Sequence, residues 1–184
     1  MASLIPNKGN YRELLCYRKA ETIYDITYFF TTHFLERGDR TVDQMVQAAR
    51  SGKQNIIEGY TASATSFETE LKLLNVAKSS LQELLADYED FLRTRDLAKW
   101  ESDSEKFLSA QKLGKTHNET SFWMDIIRTR DAETIANLAI ILIYQTDYLL
   151  YKFLQALSVR FAQEGGFRNK LTRARAQERN KKNP

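Results

Sequence analysis

A single cysteine, two prolines, two histidines and seven glycines are spread over 184 residues. Each scarcity removes a class of protein. Cys16 alone cannot close an internal disulfide, which fits a reducing compartment. The prolines stand at Pro6 and Pro184, so with few glycines almost nothing interrupts long helices. The longest unbroken apolar run, Leu138–Tyr144, falls far short of the ~20 residues that span a bilayer. The first residues, Met-Ala-Ser-Leu-Ile-Pro, lack the basic stretch and apolar core of a secretory signal. The expectation is a cytoplasmic chain with no membrane partner.

Chemistry is thinned in the same way. A di-iron bundle needs Glu-x-x-His pairs, yet the residues three before His33 and His117 are Phe30 and Gly114. One cysteine and two distant histidines do not complete a structural zinc site. No glycine-rich phosphate loop and no nucleophile elbow occur. His33, beside Phe34, reads as a surface or interface histidine. No metal, cofactor or catalytic residue is expected.

What is present is helical periodicity. Hydrophobic residues make up 42% and charged residues 28%, the balance of a folded chain of one domain. The organising stretch is Thr41–Phe91, read as a helical hairpin turning at Gly59–Ser66. Thr41-Val42-Asp43-Gln44 offers a capping box. Val42, Val46, Ala49, Ile56 and Tyr60 then fall on one stripe at 100° per residue. Ala48, Gly52, Asn55 and Gly59 form a second, small-residue stripe that lets another backbone approach closely, and Gly59 suits a left-handed C-cap. Thr65-Ser66-Phe67-Glu68 supplies a second capping box. Phe67, Leu74, Ala77, Leu81, Leu84, Tyr88 and Phe91 follow in steps of three and four, with one site missed at Glu70; Leu71, Leu85 and Leu92 widen the band. An earlier helix is read over Asn10–Leu35 from Cys16, Ala20, Ile23, Thr27, Phe30 and Phe34. After Arg95 two short helices are expected, around Ser104–Leu113 and Ser121–Arg128, with Gly114 and Thr116-His117-Asn118 in a loop. Trp100, Phe107, Phe122 and Trp123 would pin this excursion to the bundle. A last helix of about 33 residues, ~50 Å long, spans Ala132–Glu164 and ends at Gly165-Gly166. The fold class is all-α: an up-and-down four-helix bundle over 1–164 with a short helical excursion between helices three and four, followed by a basic tail over 165–184.

Four features stand out as candidate sites. Lys53 interrupts the apolar stripe of helix two, as a snorkelling side chain, a buried ion pair or a pore-lining charge. Glu58, next to Asn55 in the motif Asn55-Ile56-Ile57-Glu58-Gly59, sits where a carboxylate opposes the helix macrodipole and so calls for a cationic partner such as Lys53. Tyr144, Tyr148 and Tyr151 form a stripe, with Gln145 and Asp147 interrupting an otherwise apolar face; core or subunit contact competes with a base-stacking platform. The tail carries Arg168, Lys170, Arg173, Arg175, Arg179, Lys181 and Lys182 against Glu178, a net +6 in a chain of +3, which leaves −3 on residues 1–164. Such clusters neutralise phosphates or are simply solvated. Arg50 and Lys53 are further candidate nucleic-acid contacts on the bundle.

Gln44-Met45-Val46-Gln47-Ala48-Ala49-Arg50-Ser51-Gly52 followed by Asn55-Ile56-Ile57-Glu58-Gly59 resembles the Q-M-x-x-A-A-x-S…N-I-A-E-G signature of a family. Its members are the four-helix bundle proteins named after an intervening sequence in large-subunit ribosomal RNA genes. Leu71-x-x-Leu74-x-x-Ala77-x-x-Ser80-Leu81-x-Glu83-Leu84 is similar to that family's third helix. Gln145-Thr146-Asp147-Tyr148-Leu149-Leu150 and Glu164-Gly165-Gly166-Phe167 resemble its subgroup with a four-helix bundle suffix. The resemblance implies a ring-shaped homopentamer without enzymatic activity, with relatives that bind nucleic acid and a reverse transcriptase. The expected function is a non-enzymatic homo-oligomeric adaptor for RNA or DNA; the alternative is a protein-interaction scaffold without a nucleic-acid role.

Overall fold

The computed structural model describes residues 10–164. A single 3-10 turn, Tyr11–Glu13, precedes six helices: α1 Leu15–Phe34, α2 Arg40–Ala62, α3 Phe67–Thr94, α4 Glu105–Thr116, α5 Thr120–Ile127 and α6 Ala132–Glu164. No strand occurs among the described residues. α1, α2, α3 and α6 pack in the cyclic order α1–α2–α3–α6–α1. The five-residue and four-residue connections before α2 and α3 make those neighbours antiparallel. Opposite ends of α3 and α6 meet as well: Phe67 stacks on Phe161 with ring centroids 4.1 Å apart, and Tyr144 donates to Glu89 at 3.2 Å. The expected up-and-down bundle is the fold, and the excursion is α4 and α5, which lie against α6 and α1 respectively.

Sequence periodicity becomes burial in α1 and α3 but only partly in α2, where Val42, Val46 and Tyr60 of the expected stripe are half-buried and Met45 enters the core. Cys16, Ala20, Ile23, Thr27 and Phe30 of α1 are all buried, as are Leu74, Ala77, Leu81, Leu84, Tyr88 and Phe91 of α3. Tyr88 is fully buried and donates its hydroxyl to Thr27 Oγ1 at 3.0 Å, which satisfies a polar atom that would otherwise be costly in the core. Glu70, where the α3 stripe skips, is also fully buried.

The element ends depart from expectation. Asp39, not Thr41, caps α2, its Oδ1 accepting from Thr41 N at 2.8 Å. Ser66, not Thr65, caps α3 by accepting from Thr69 N at 3.2 Å. Asn10–Leu14 is not α-helical beyond the 3-10 turn, so α1 starts at Leu15. Gly59 does not end α2: the helix continues to Ala62, and the turn shrinks to Ser63–Ser66. The glycine serves close approach instead. A Cβ at Gly59 would stand 3.3 Å from Leu74 Cγ, and one at Gly52 would stand 2.8 Å from Leu81 Cδ2. The small-residue stripe is thus the seam on which α3 lies, and Ser51 Oγ meets Ser80 Oγ across it at 2.9 Å. The left-handed glycine is Gly38, at φ +89° between α1 and α2.

Gly114 is likewise inside α4 rather than in a loop. Ser104 caps that helix, accepting from Phe107 N at 3.3 Å. Trp123 is the fixed point of the excursion, 1% exposed, with Nε1 donating to His117 O at 3.2 Å. The preceding loop is tied to α6 by Asn137, whose Oδ1 accepts from Trp100 N and whose Nδ2 donates to Ala98 O, both at 2.8 Å.

Candidate functional site

Two features of the bundle are not accounted for by packing alone. One is a cavity of about 560 Å³ bounded by α1, α4 and α6. The other is the outer face of α6 beyond it.

The cavity forms because the side chains of Phe107, Gln111 and Lys115 on α4 face Ile141, Tyr144, Gln145 and Tyr148 on α6, while Leu15 and Lys19 of α1 close one side. Lys19 sits in the buried stripe of α1, between Cys16 and Ile23, and is 5% exposed. Its Nζ donates to the carbonyl of Gly114. That carbonyl belongs to the last turn of α4, where backbone acceptors lack helical partners and a cation is favoured by the macrodipole. Burial pulls the Lys19 ammonium down to about 8, with no carboxylate acting on it. Gln145 approaches the same glycine. Its Nε2 donates to Gln111 O at 2.8 Å, which fixes the orientation of the amide and leaves Oε1 buried with no hydrogen-bond partner. A Cβ at Gly114 would stand only 2.3 Å from that oxygen. Glycine here makes room for the glutamine amide.

Further along α6 the same helical stripe continues without α4 over it. Tyr148, at the rim of the cavity, is 58% exposed, and Tyr151 and Val159 beyond it are 47% and 57% exposed. Lysines lie over several of these rings: Lys99 Nζ is 5.9 Å from the Tyr144 centroid, Lys152 5.8 Å from Tyr148 and Lys78 5.7 Å from Tyr151. Lys99 also bonds Glu89 at 2.5 Å, and Lys78 pairs with Asp147 at 3.3 Å. These pairings are half-exposed and contribute little to stability individually. They place cations beside aromatic faces on one side of α6.

The residues singled out from the sequence are dispersed. Lys53 is half-buried with Nζ 4.2 Å from the Tyr24 ring centroid, a cation–π contact in place of a close ion pair. It also draws down the carboxyl of Asp25, which burial raises. Arg50, one turn earlier, is exposed. Asn55 donates Nδ2 to Ser51 O at 2.9 Å and to Ser51 Oγ at 3.1 Å, so it supports the α2–α3 seam. Glu58 corrects an expectation: it is exposed and accepts a 3.3 Å bond from Gln54 Nε2, with no cation beside it among the described residues. Because α2 runs on to Ala62, its carboxylate does not lie at the helix end and needs no counter-charge. Tyr144, Tyr148 and Tyr151 are surface residues and not core. His33 is exposed and stacks on Phe29 at 4.0 Å. Arg168, Lys170, Arg173, Arg175, Arg179, Lys181 and Lys182, with the Gly165-Gly166 helix end, lie outside the described residues.

Lys19 and Gly114 were missed as a site. The available signal was a lysine within the apolar stripe of α1, the same signal that drew attention to Lys53 on α2. Among the described residues no cluster of His, Cys, Asp or Glu could hold a metal ion, and no helix is long and apolar enough to cross a membrane. No protein-family model, curated protein or solved structure matches the chain.

Proposed function

We propose that this protein is a non-enzymatic, homo-oligomeric helical-bundle adaptor that gathers several copies of its basic C-terminal segment on RNA or DNA. The observation that carries the reading is the uncovered stripe of α6, where Tyr151 and Val159 stand exposed on one face of the helix that leads into that segment. An apolar and aromatic face of this kind, flanked by polar residues, is what a subunit contact requires. The resemblance of the α2 motif makes a pentamer the specific expectation. Charge supports the second half of the reading. Residues 10–164 carry −4 and residues 165–184 carry +6, so attraction to phosphate resides in the segment and not in the bundle. Assembly multiplies that attraction by raising the effective concentration of neighbouring segments.

Light scattering at micromolar concentration tests the first half: an oligomer is expected, and a monomer mass overturns it. A salt titration of RNA and DNA binding tests the second, comparing the full chain with one ending at Glu164. Each engaged cation steepens the dependence of log K on log salt by about 0.9 on duplex DNA or about 0.7 on single strands. Affinity is expected to fall steeply with salt for the full chain and to vanish for the truncated one. Weak, salt-insensitive binding by both favours the second reading, a protein-interaction scaffold, which the acidic bundle also suits. Strong binding retained after truncation moves the contact to the bundle, with Arg50 and Lys53 the first residues to substitute.

A further inference from the structure

We propose that the cavity between α1, α4 and α6 binds a small carboxylate carried on an apolar, ring-bearing body, with its anionic end on Lys19. This is independent of whether the protein assembles or binds nucleic acid.

The charge balance of the cavity is one-sided. Lys19 and Lys115 both line it, and no aspartate or glutamate does. Lys19 is the informative one, because a lysine side chain this buried is normally matched by a carboxylate. Its bond to Gly114 O uses one of three N–H donors, and the other two have no partner among the described residues. Capping the end of α4 would explain one bond; it does not require a full charge, nor does it explain a cavity beside it. Gln145, its amide fixed by the bond to Gln111 O, lines the same end of the cavity. Lys19 Nζ touches the carbonyl of Gly114 and the Gln145 amide lies against the same glycine, so both report on this end of the cavity. A ligand carboxylate supplies both the acceptor and the counter-charge that Lys19 lacks.

The walls set the rest of the ligand. Phe107, Tyr144 and Tyr148 offer ring faces and edges, and Ile141 and Leu149 are aliphatic. A volume of about 560 Å³ falls in the range of small-molecule sites, which are largely apolar with a few converging polar groups. Phosphate alone would leave these walls wet, and a long polymer would not reach Lys19.

The test uses two probe acids, 4-hydroxyphenylacetate and indole-3-acetate, and their neutral primary amides, titrated into the full-length protein while the Gly114 backbone and Gln145 side-chain amide resonances are followed. Both acids are expected to shift these signals, with each amide bound at least about tenfold more weakly, the cost of one charge-assisted hydrogen bond. Lys19→Met, which keeps the aliphatic stem, should abolish the preference for acid over amide, whereas Lys115→Gln should leave it. Equal binding of acids and amides by the unaltered protein overturns the proposal without any variant. So does failure of either acid to shift Gly114 or Gln145, or a preference that survives Lys19→Met and disappears in Lys115→Gln.

Discussion

From Ile135 to Ile143 every residue of α6 is buried, whereas between Tyr151 and Phe161 the only buried residue among the described side chains is Leu157. Both halves are rich in apolar residues, and one continuous helix carries them. The difference lies in the neighbours. The first half is enclosed by α1 and α3, by α4 and by the Ala98–Trp100 loop that Asn137 holds. The second half has passed the start of α1 at Leu15 and the span of α4, and keeps α3 beside it, through the Phe67–Phe161 stack. A helix that is apolar all round is a buried helix only as far as its surroundings extend. Where they stop, the same composition becomes a surface that can take a partner.

The comparison can be broken most directly by truncating one side chain in each half. Leu142→Ala removes a side chain that is 1% exposed and should cost about 2–5 kcal/mol in urea unfolding. Val159→Ala, at 57% exposure, should cost under about 0.5 kcal/mol. A Val159 cost approaching that of Leu142 would mean the second half is covered in solution, and its dependence on protein concentration would identify the cover as another copy. Replacing both Tyr151 and Val159 by glutamate should then lower the mass seen by light scattering and leave the bundle folded by circular dichroism.

The next effect is set by pH and concerns the cavity against the middle of α6. An unfolded lysine releases its proton near 10.4, and Lys19 in the folded chain does so at about 8. Between these values the unfolded chain holds more protons, so this residue's contribution to stability rises with pH. Cys16 works the other way, since burial pushes its thiol up to about 11 and the folded chain then retains the proton longer. The difference in stability between the unaltered protein and Lys19→Met isolates the lysine. It should shift in favour of the unaltered protein from pH 8 to pH 10, and a flat difference would show that Lys19 is solvated.

Asn137→Ala should cost about 1–3 kcal/mol, because it strands the Trp100 N–H and the Ala98 carbonyl. Faster amide exchange at Trp100 would localise the loss to the enclosed half. The smallest effect is expected at Glu58→Gln, within about 0.5 kcal/mol, since the carboxylate is exposed and among the described residues meets only Gln54. A larger loss would restore the charged partner that the sequence pattern suggested.

Periodicity made the bundle legible. The stripes of α1 and α3 are the core, and the span Ala132–Glu164 coincides with α6. What periodicity could not decide is which of a residue's physical roles is in use. Glycine permits both a left-handed turn and a close helix contact, so the sequence pattern alone suits Gly59 to a helix end and Gly114 to a loop, whereas each makes room for a facing residue. Glu58 inherited its expected partner from that misplaced end. The cavity was the least legible feature, since Lys19 and Gly114 lie 95 residues apart and meet only because the excursion folds back over the groove between α1 and α6. Gln145 was noticed as a break in an apolar face, but a break on one helix says nothing about what stands opposite. The cationic residues of 165–184 could be counted in the sequence, and counting is as far as they go.

Cys16 gives the molecule a built-in clock. Its thiol is 4% exposed and held almost wholly protonated at neutral pH, so an alkylating reagent reaches a reactive thiolate only when the first turn of α1 comes away from the bundle. That turn carries Leu15 and runs directly into Lys19, both at the edge of the cavity. The labelling rate of the sole cysteine therefore measures how often this gate swings open, and any compound that bridges α1 to α4 should slow the clock in proportion to its occupancy.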